Sequence, residues 1–142
     1  GLIVVAADDP SMHSSQNEQD SRFYGKFAFV PVFEPATQQE AYDMVFDAFE
    51  LSEKHAIPVL FRITTRLAHS RAAVELRKEI SEKKMNLPSD PLQFVLLPSI
   101  ARKRYRALLS TYETLKYDNR ISKISISLHL SVISLIRSFG NG

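Results

Sequence analysis

Leu2 to Val5 open the chain as a continuous apolar, β-rich run, the pattern of a strand covered on both faces in a parallel sheet. A dense polar stretch, "DDPSMHSSQNEQDSRFYG" (8–25), follows directly. "FAFVPVFEP" then predicts a short strand over Phe29–Phe33, with Pro31 limiting its pairing on one side. The clearest helix comes next. Thr37 and Glu40 form a T-x-x-E capping box, and Ala41, Met44, Val45, Ala48 and Phe49 share one apolar face. This helix is expected to end near His55, because a residue that precedes proline avoids helical angles. "PVLFRIT" (58–64) predicts a further buried strand. The order strand, loop, strand, helix, strand predicts an α/β fold with a parallel sheet and right-handed crossovers.

Further along, "RAAVELRKEISEKK" (71–84) predicts a charged helix with a thin apolar stripe at Ala73, Leu76 and Ile80. Glu79 and Lys83 are correctly oriented to support it. "NLPSDP" is a break. Ala101, Tyr105, Leu108, Tyr112 and Leu115 then recur at helical spacing, and "KISISLHL" (123–130) alternates as a half-buried strand. The opening, Gly1 leading straight into a strand pattern, reads as a piece of a larger protein.

Composition narrows the function. At 142 residues, with 44% hydrophobic and 24% charged positions, the chain suits one globular domain. A net charge of +2 gives no case for nucleic acid or an anionic membrane surface as partner. No cysteine is present, which excludes disulfides, thiolate metal sites, cysteine-held clusters and a cysteine nucleophile within this chain and fits a cytoplasmic location. The longest uncharged segment near the C-terminus, "ISISLHLSVISLI", is too short and too serine-rich for a spanning helix.

In open α/β sheets ligands bind at the carboxyl ends of the strands. Two polar segments are expected there: Asp8 to Gly25 after the first strand and "TTRLAHSR" (64–71) after the third. Each also reads as a solvated turn or a helix cap. Asp8, Asp9 and His13 carry metal-ligand chemistry and leave a metal-dependent hydrolase open, although their spacing matches no compact ligand motif. A G-x-S-x-G nucleophile turn is absent. With four glycines and neither a P-loop nor G-x-G-x-x-G, a backbone phosphate cradle is not expected, so the diphosphate of any such cofactor falls to another domain. In "RKRYR" (102–106), Tyr105 lies on the apolar stripe while Arg102, Lys103 and Arg106 fall opposite, as on a solvated helix face. His55 reads as a cap at a helix C-terminus, and His129 as a strand-surface residue.

Two long strings carry a family resemblance: "HSSQNEQDSR" (13–22) and "TTRLAHSR" (64–71). With "SDPLQFVLLPSIARKRYRALL", they make the chain up to about residue 116 resemble the C-terminal part of the pyrimidine-binding (PYR) domain of indolepyruvate ferredoxin oxidoreductase alpha subunits. These belong to the thiamine-diphosphate-dependent 2-oxoacid:ferredoxin oxidoreductases. The resemblance implies a thiamine-diphosphate-binding fold and oxidative decarboxylation of aryl 2-oxoacids to acyl-CoA. It implies coenzyme A, ferredoxin and a second (beta) subunit as partners. The diphosphate with its Mg²⁺, the activating glutamate and the 4Fe-4S clusters would all lie outside this chain, which alone is expected to be inactive.

Related pyruvate oxidoreductases carry a Q-D…R-x-T-G pattern here, and Gln16, Arg22 and Gly25 fall on its spacing, with Tyr24 in place of the threonine. The resemblance therefore assigns Arg22 to the substrate carboxylate, where a guanidinium bonds in a bidentate way. It assigns His13 and Gln16 to the cofactor side, and Thr65, Arg66 and His69 to the same rim. The alternative for Arg22 is an ion pair with Asp20 or Glu34 that fixes the loop. The alternative for the whole chain is a non-catalytic α/β interaction module. Residues 117–142 depart from the family pattern, with no glycine before Gly140, and read as a divergent strand or linker.

Overall fold

Val59–Thr64 (β3) is the strand around which the rest is built. In the computed structural model, which describes residues 1–78 and 88–116, β3 lies between Ile3–Asp8 (β1) and Val32–Phe33 (β2). Both neighbours run parallel to it. The α/β class with a parallel sheet, expected from the hydrophobic pattern, is the fold observed. Ile3 pairs with Val59 and Asp8 with Thr64, so β1 and β3 end level at one edge. Val59, Leu60 and Phe61 are buried, as a continuous apolar run predicts, and so is Arg62.

Gln38–His55 (α2) makes the crossover from β2 to β3. Thr37 Oγ1 accepts the Glu40 N–H at 3.2 Å, the forward half of the capping box. The return half reaches one residue further back, where Glu40 Oε2 accepts the Ala36 N–H at 2.7 Å. The helix ends at His55 as expected, on Ala56 in a left-handed conformation (φ 49°), whose N–H returns to the Ser52 carbonyl. Ser52 is itself buried. Its hydroxyl donates to the Ile57 carbonyl (2.7 Å) and accepts the Leu2 N–H (2.8 Å), tying the end of α2 to the start of β1.

Successive residues of a strand face opposite ways, so Val59 and Phe61 share one face of β3 while Leu60 and Arg62 share the other. Ala48 and Leu51 of α2 meet the first face with Phe33, and Leu115 of Pro98–Lys116 (α4) joins that cluster. The apolar stripe expected of α4 is borne out in part: Leu115 is buried and Ala101, Leu108 and Tyr112 are half-buried, while Tyr105 is 52% exposed. Phe29 packs its ring edge-on against Tyr105 and Tyr112, and Arg102, Lys103 and Arg106 are exposed.

Four local expectations are corrected. The second strand is limited to Val32–Phe33, because Arg22–Ala28 forms a short helix (α1) that ends on Phe29 at φ 57°. Residues 71–78 are not helical. The side chains of α2 satisfy their backbone instead: the Gln39 amide bonds both the N–H and the carbonyl of Glu75, and Tyr42 Oη accepts the Arg77 N–H at 3.0 Å. Arg77 then lies over the Phe46 ring, 4.3 Å from its centroid. β1 is not covered on both faces, since Leu2, Val4 and Val5 remain 58%, 48% and 59% exposed. Phe49 is also exposed, and Leu51 takes its expected place in the core. The rest of the charged helix (79–84), the strand at 123–130 and His129 lie outside the described residues.

An L-residue in the left-handed region is strained, and glycine there is not. Ala56→Gly is expected to stabilise the chain by about 0.5–1 kcal/mol, after allowing for the greater backbone entropy of glycine when unfolded. Urea unfolding of the two proteins checks this.

Candidate functional site

The polar stretch after β1 is organised from within by two buried carboxylates. Asp8, the last residue of β1, turns its Oδ2 onto Ser21, accepting the backbone N–H at 2.7 Å and the hydroxyl at 2.9 Å. The same oxygen accepts Arg62 Nε at 2.5 Å. Arg62 and Asp8 are only 3% and 6% exposed, so the pair is desolvated. The Arg62 Nη1 also bonds Glu34, just beyond β2, and its Nε lies 3.9 Å from Asp20. One guanidinium on the central strand thus gathers the ends of its two neighbours and the entry to α1.

Asp9 closes the first part of the loop. Its Oδ2 accepts the N–H groups of Ser14 and Ser15, each at 2.6 Å, and its Oδ1 accepts that of His13 at 3.0 Å. The Thr65 hydroxyl, opening the segment after β3, donates to Asp9 Oδ1 at 2.7 Å. The two polar segments expected at one edge of the sheet therefore meet there, because Asp8 and Thr64 end their strands in register.

These bonds set the charge states. Burial alone would raise the Asp8 carboxyl, but the bonds from Ser21 and Arg62 hold it below the usual carboxylate range. The Thr65 hydroxyl and then the Ser14 N–H hold Asp9 well below it. The Arg22 side chain, with the Arg22 N–H, lowers Asp20 to about 2, and Asp20 in turn raises Arg22.

The residues singled out from the sequence fall into two groups. Thr65 is bonded into the loop through Asp9, and His13 through its backbone alone, while the His13 and Gln16 side chains are exposed. Arg66 and His69 are exposed on either side of Leu67, which is buried on the short turn of helix Thr65–Ala68 (α3). Arg22 opens α1 and pairs with Asp20 through Nε (2.8 and 3.0 Å) and Nη2, the loop-fixing geometry weighed as its alternative. Among the described residues no hydrogen bond links the His13 or Gln16 side chain to Arg22. Gly25 has a packing role: a Cβ there would lie 2.0 Å from Cγ2 of Val32, so the backbone of α1 rests directly on the Val32 side chain of β2.

Asp8, Asp9 and His13 do not assemble as metal ligands. Both carboxylates are surrounded by N–H and O–H donors that a cation would have to displace. Among the described residues no group of three or more His, Asp or Glu side chains is placed to hold a metal ion. The residue missed from sequence was Arg62. Its signal was a lone cation inside the apolar run "PVLFRIT", which has no reason to be buried unless an acid waits for it.

Removing one partner of a buried ion pair leaves an uncompensated charge. Arg62→Ala is expected to cost about 3–5 kcal/mol, and Arg62→Met combined with Asp8→Asn less than the sum of those two single changes; urea unfolding of the four variants checks both. Asp8, Asp9 and Asp20 all have folded-state pKa values below their unfolded ones. Their contribution is present above about pH 4 and is lost as pH falls toward the folded values. Acid unfolding should therefore begin below about pH 4, with a shallower slope in Asp20→Asn, read by circular dichroism.

Among the described residues no helix is long and apolar enough to cross a membrane. No protein-family model matches the chain, and no solved structure matches it. Curated proteins do match. Indolepyruvate oxidoreductase subunit IorA of Pyrococcus horikoshii is 50% identical over 124 residues, covering 83% of this chain and 19% of the relative. The proteins of the same name from Methanothermobacter marburgensis and Archaeoglobus fulgidus are 47% identical over 117 residues and 48% identical over 119, each covering 82% of this chain and 19% of the relative. The chain spans about a fifth of the length of the curated relatives it matches. Over that stretch the chain is similar to archaeal proteins named indolepyruvate oxidoreductase subunit IorA.

Proposed function

We propose that this chain is the segment of an indolepyruvate oxidoreductase subunit that forms the aminopyrimidine and substrate side of a thiamine diphosphate site. The whole enzyme would oxidatively decarboxylate aryl 2-oxoacids to acyl-CoA and pass electrons to ferredoxin, in the cytoplasm. A beta subunit, and 4Fe-4S clusters held outside this cysteine-free chain, would complete it. The observation that carries this reading is the joining of both polar segments at one sheet edge, in a chain whose relatives are named for indolepyruvate oxidation.

The fit to the cofactor is partial in a way that agrees with a divided site. His13 and Gln16 offer exposed donors and acceptors suited to the edge of an aminopyrimidine. The described glycines, Gly1 and Gly25, form no cradle, and the buried carboxylates are already engaged, so the diphosphate and Mg²⁺ would be held elsewhere. Thiamine diphosphate, when bound, supplies the nucleophilic carbon and the electron sink that decarboxylation needs. Arg22 would bind the 2-oxoacid carboxylate and orient the substrate, and Thr65, Arg66 and His69 would complete the rim.

In the full-length, assembled enzyme, Arg22→Ala is expected to raise KM for indolepyruvate by roughly 10- to 100-fold, the worth of charge-assisted hydrogen bonds to a carboxylate, with a smaller change in kcat. Steady-state kinetics check this, and an unchanged KM would remove Arg22 from the site.

A further inference from the structure

Arg22 already holds a carboxylate. Its Nε and Nη2 fork onto both oxygens of Asp20, the geometry in which a guanidinium receives any carboxylate ligand. The two side chains are 40% and 33% exposed, so a ligand from solvent can reach the pair. Asp20 also has a second cation within reach: its Oδ1 lies 3.9 Å from Nε of the buried Arg62. The same Oδ1 also accepts the Arg22 N–H at 3.1 Å.

We infer that Asp20 is a built-in competitor for the carboxylate-binding edge of Arg22, which an incoming carboxylate displaces toward Arg62. This inference rests on the reading of Arg22 as the carboxylate site. Charge sets its direction. Asp8, Asp20 and Glu34 face Arg62 and Arg22, three negative charges against two positive, so the cluster carries one net negative charge before any ligand arrives. A ligand carboxylate must both detach Asp20 and add a further negative charge. Turning Asp20 toward Arg62 keeps its charge beside a cation, which lowers the cost of that exchange without abolishing it. Asp20 thereby weakens carboxylate binding at Arg22 and leaves neutral ligands of the same shape untouched. The device sets specificity as well as affinity, because only an anion with two coplanar oxygens can replace Asp20 on both arms of the fork.

The test is calorimetric binding to the full-length, assembled enzyme of indole-3-propionate, a carboxylate with no keto group to react, and of its neutral amide. Asp20→Asn keeps an oxygen for the Arg22 N–H and removes the charge; Asp20→Ser is a second neutral replacement, should the first fail to fold. Either is expected to bind the carboxylate roughly fivefold more tightly, as removal of a partly exposed ion pair allows, with the amide unchanged. Arg22→Ala is expected to weaken the carboxylate both alone and combined with Asp20→Asn. If Arg22→Ala weakens binding but neutralising Asp20 does not tighten it, Asp20 only steadies Arg22: the inference falls and the reading of the site stands. If Arg22→Ala leaves carboxylate binding unchanged, both fall together.

Discussion

A cation buried in the middle of a parallel sheet constrains everything at the sheet's carboxyl edge. Arg62 is among the most buried residues of the central strand, and a desolvated guanidinium is tolerable only with a carboxylate placed to meet it. Asp8 meets it from β1 and Glu34 from beyond β2. An apolar side chain at position 62 would fill space with far less directional demand. The ion pair is thus a geometric device more than a source of stability: it admits one arrangement of the strand ends and of Ser21, where α1 begins.

That arrangement accounts for the polarity of the stretch after β1. A loop leaving a parallel strand carries N–H groups with no ladder partner, and each needs an acceptor if water is kept away. Asp9 supplies one for His13, Ser14 and Ser15 together, and is itself fixed by Thr65. Part of the polar composition therefore serves the loop itself. His13, Gln16 and the Arg22–Asp20 pair are among the loop's exposed or part-exposed side chains, on the stretch that leaves the sheet at the edge where α/β sheets receive ligands.

The same strand ends explain how two segments distant in sequence come to share a rim. Asp8 and Thr64 are register partners, so whatever follows β1 must lie beside whatever follows β3. Gly25 lets α1 sit directly on Val32, and Asp20, just ahead of α1, pairs with Arg22 and lies 3.9 Å from Arg62. Similarity to the IorA subunits extends over 82–83% of the chain.

Elements whose physics is local were legible in the sequence. The continuous apolar runs of β1 and β3, the Thr37–Glu40 box and the stop of α2 before Pro58, and the Tyr105–Leu115 stripe of α4 each depend on neighbours within a few residues. The corrections arose where distant partners outweigh local preference. Residues 71–78 have helical composition, yet Gln39, Tyr42 and the acids of α2 bond them more fully as an extended strap. Phe29 alternates like a strand residue but closes α1 in a left-handed turn, its ring held by Tyr105 and Tyr112. By itself the sequence determined the parallel α/β order and the polar character of the edge, because hydrophobic periodicity is read residue by residue. Only the tertiary structure decided that Arg62 would meet an acid 54 positions away, and that Asp8 and Asp9 would turn inward as anchors. A desolvated ion pair depends on which chains come together, and no spacing along a single chain encodes that.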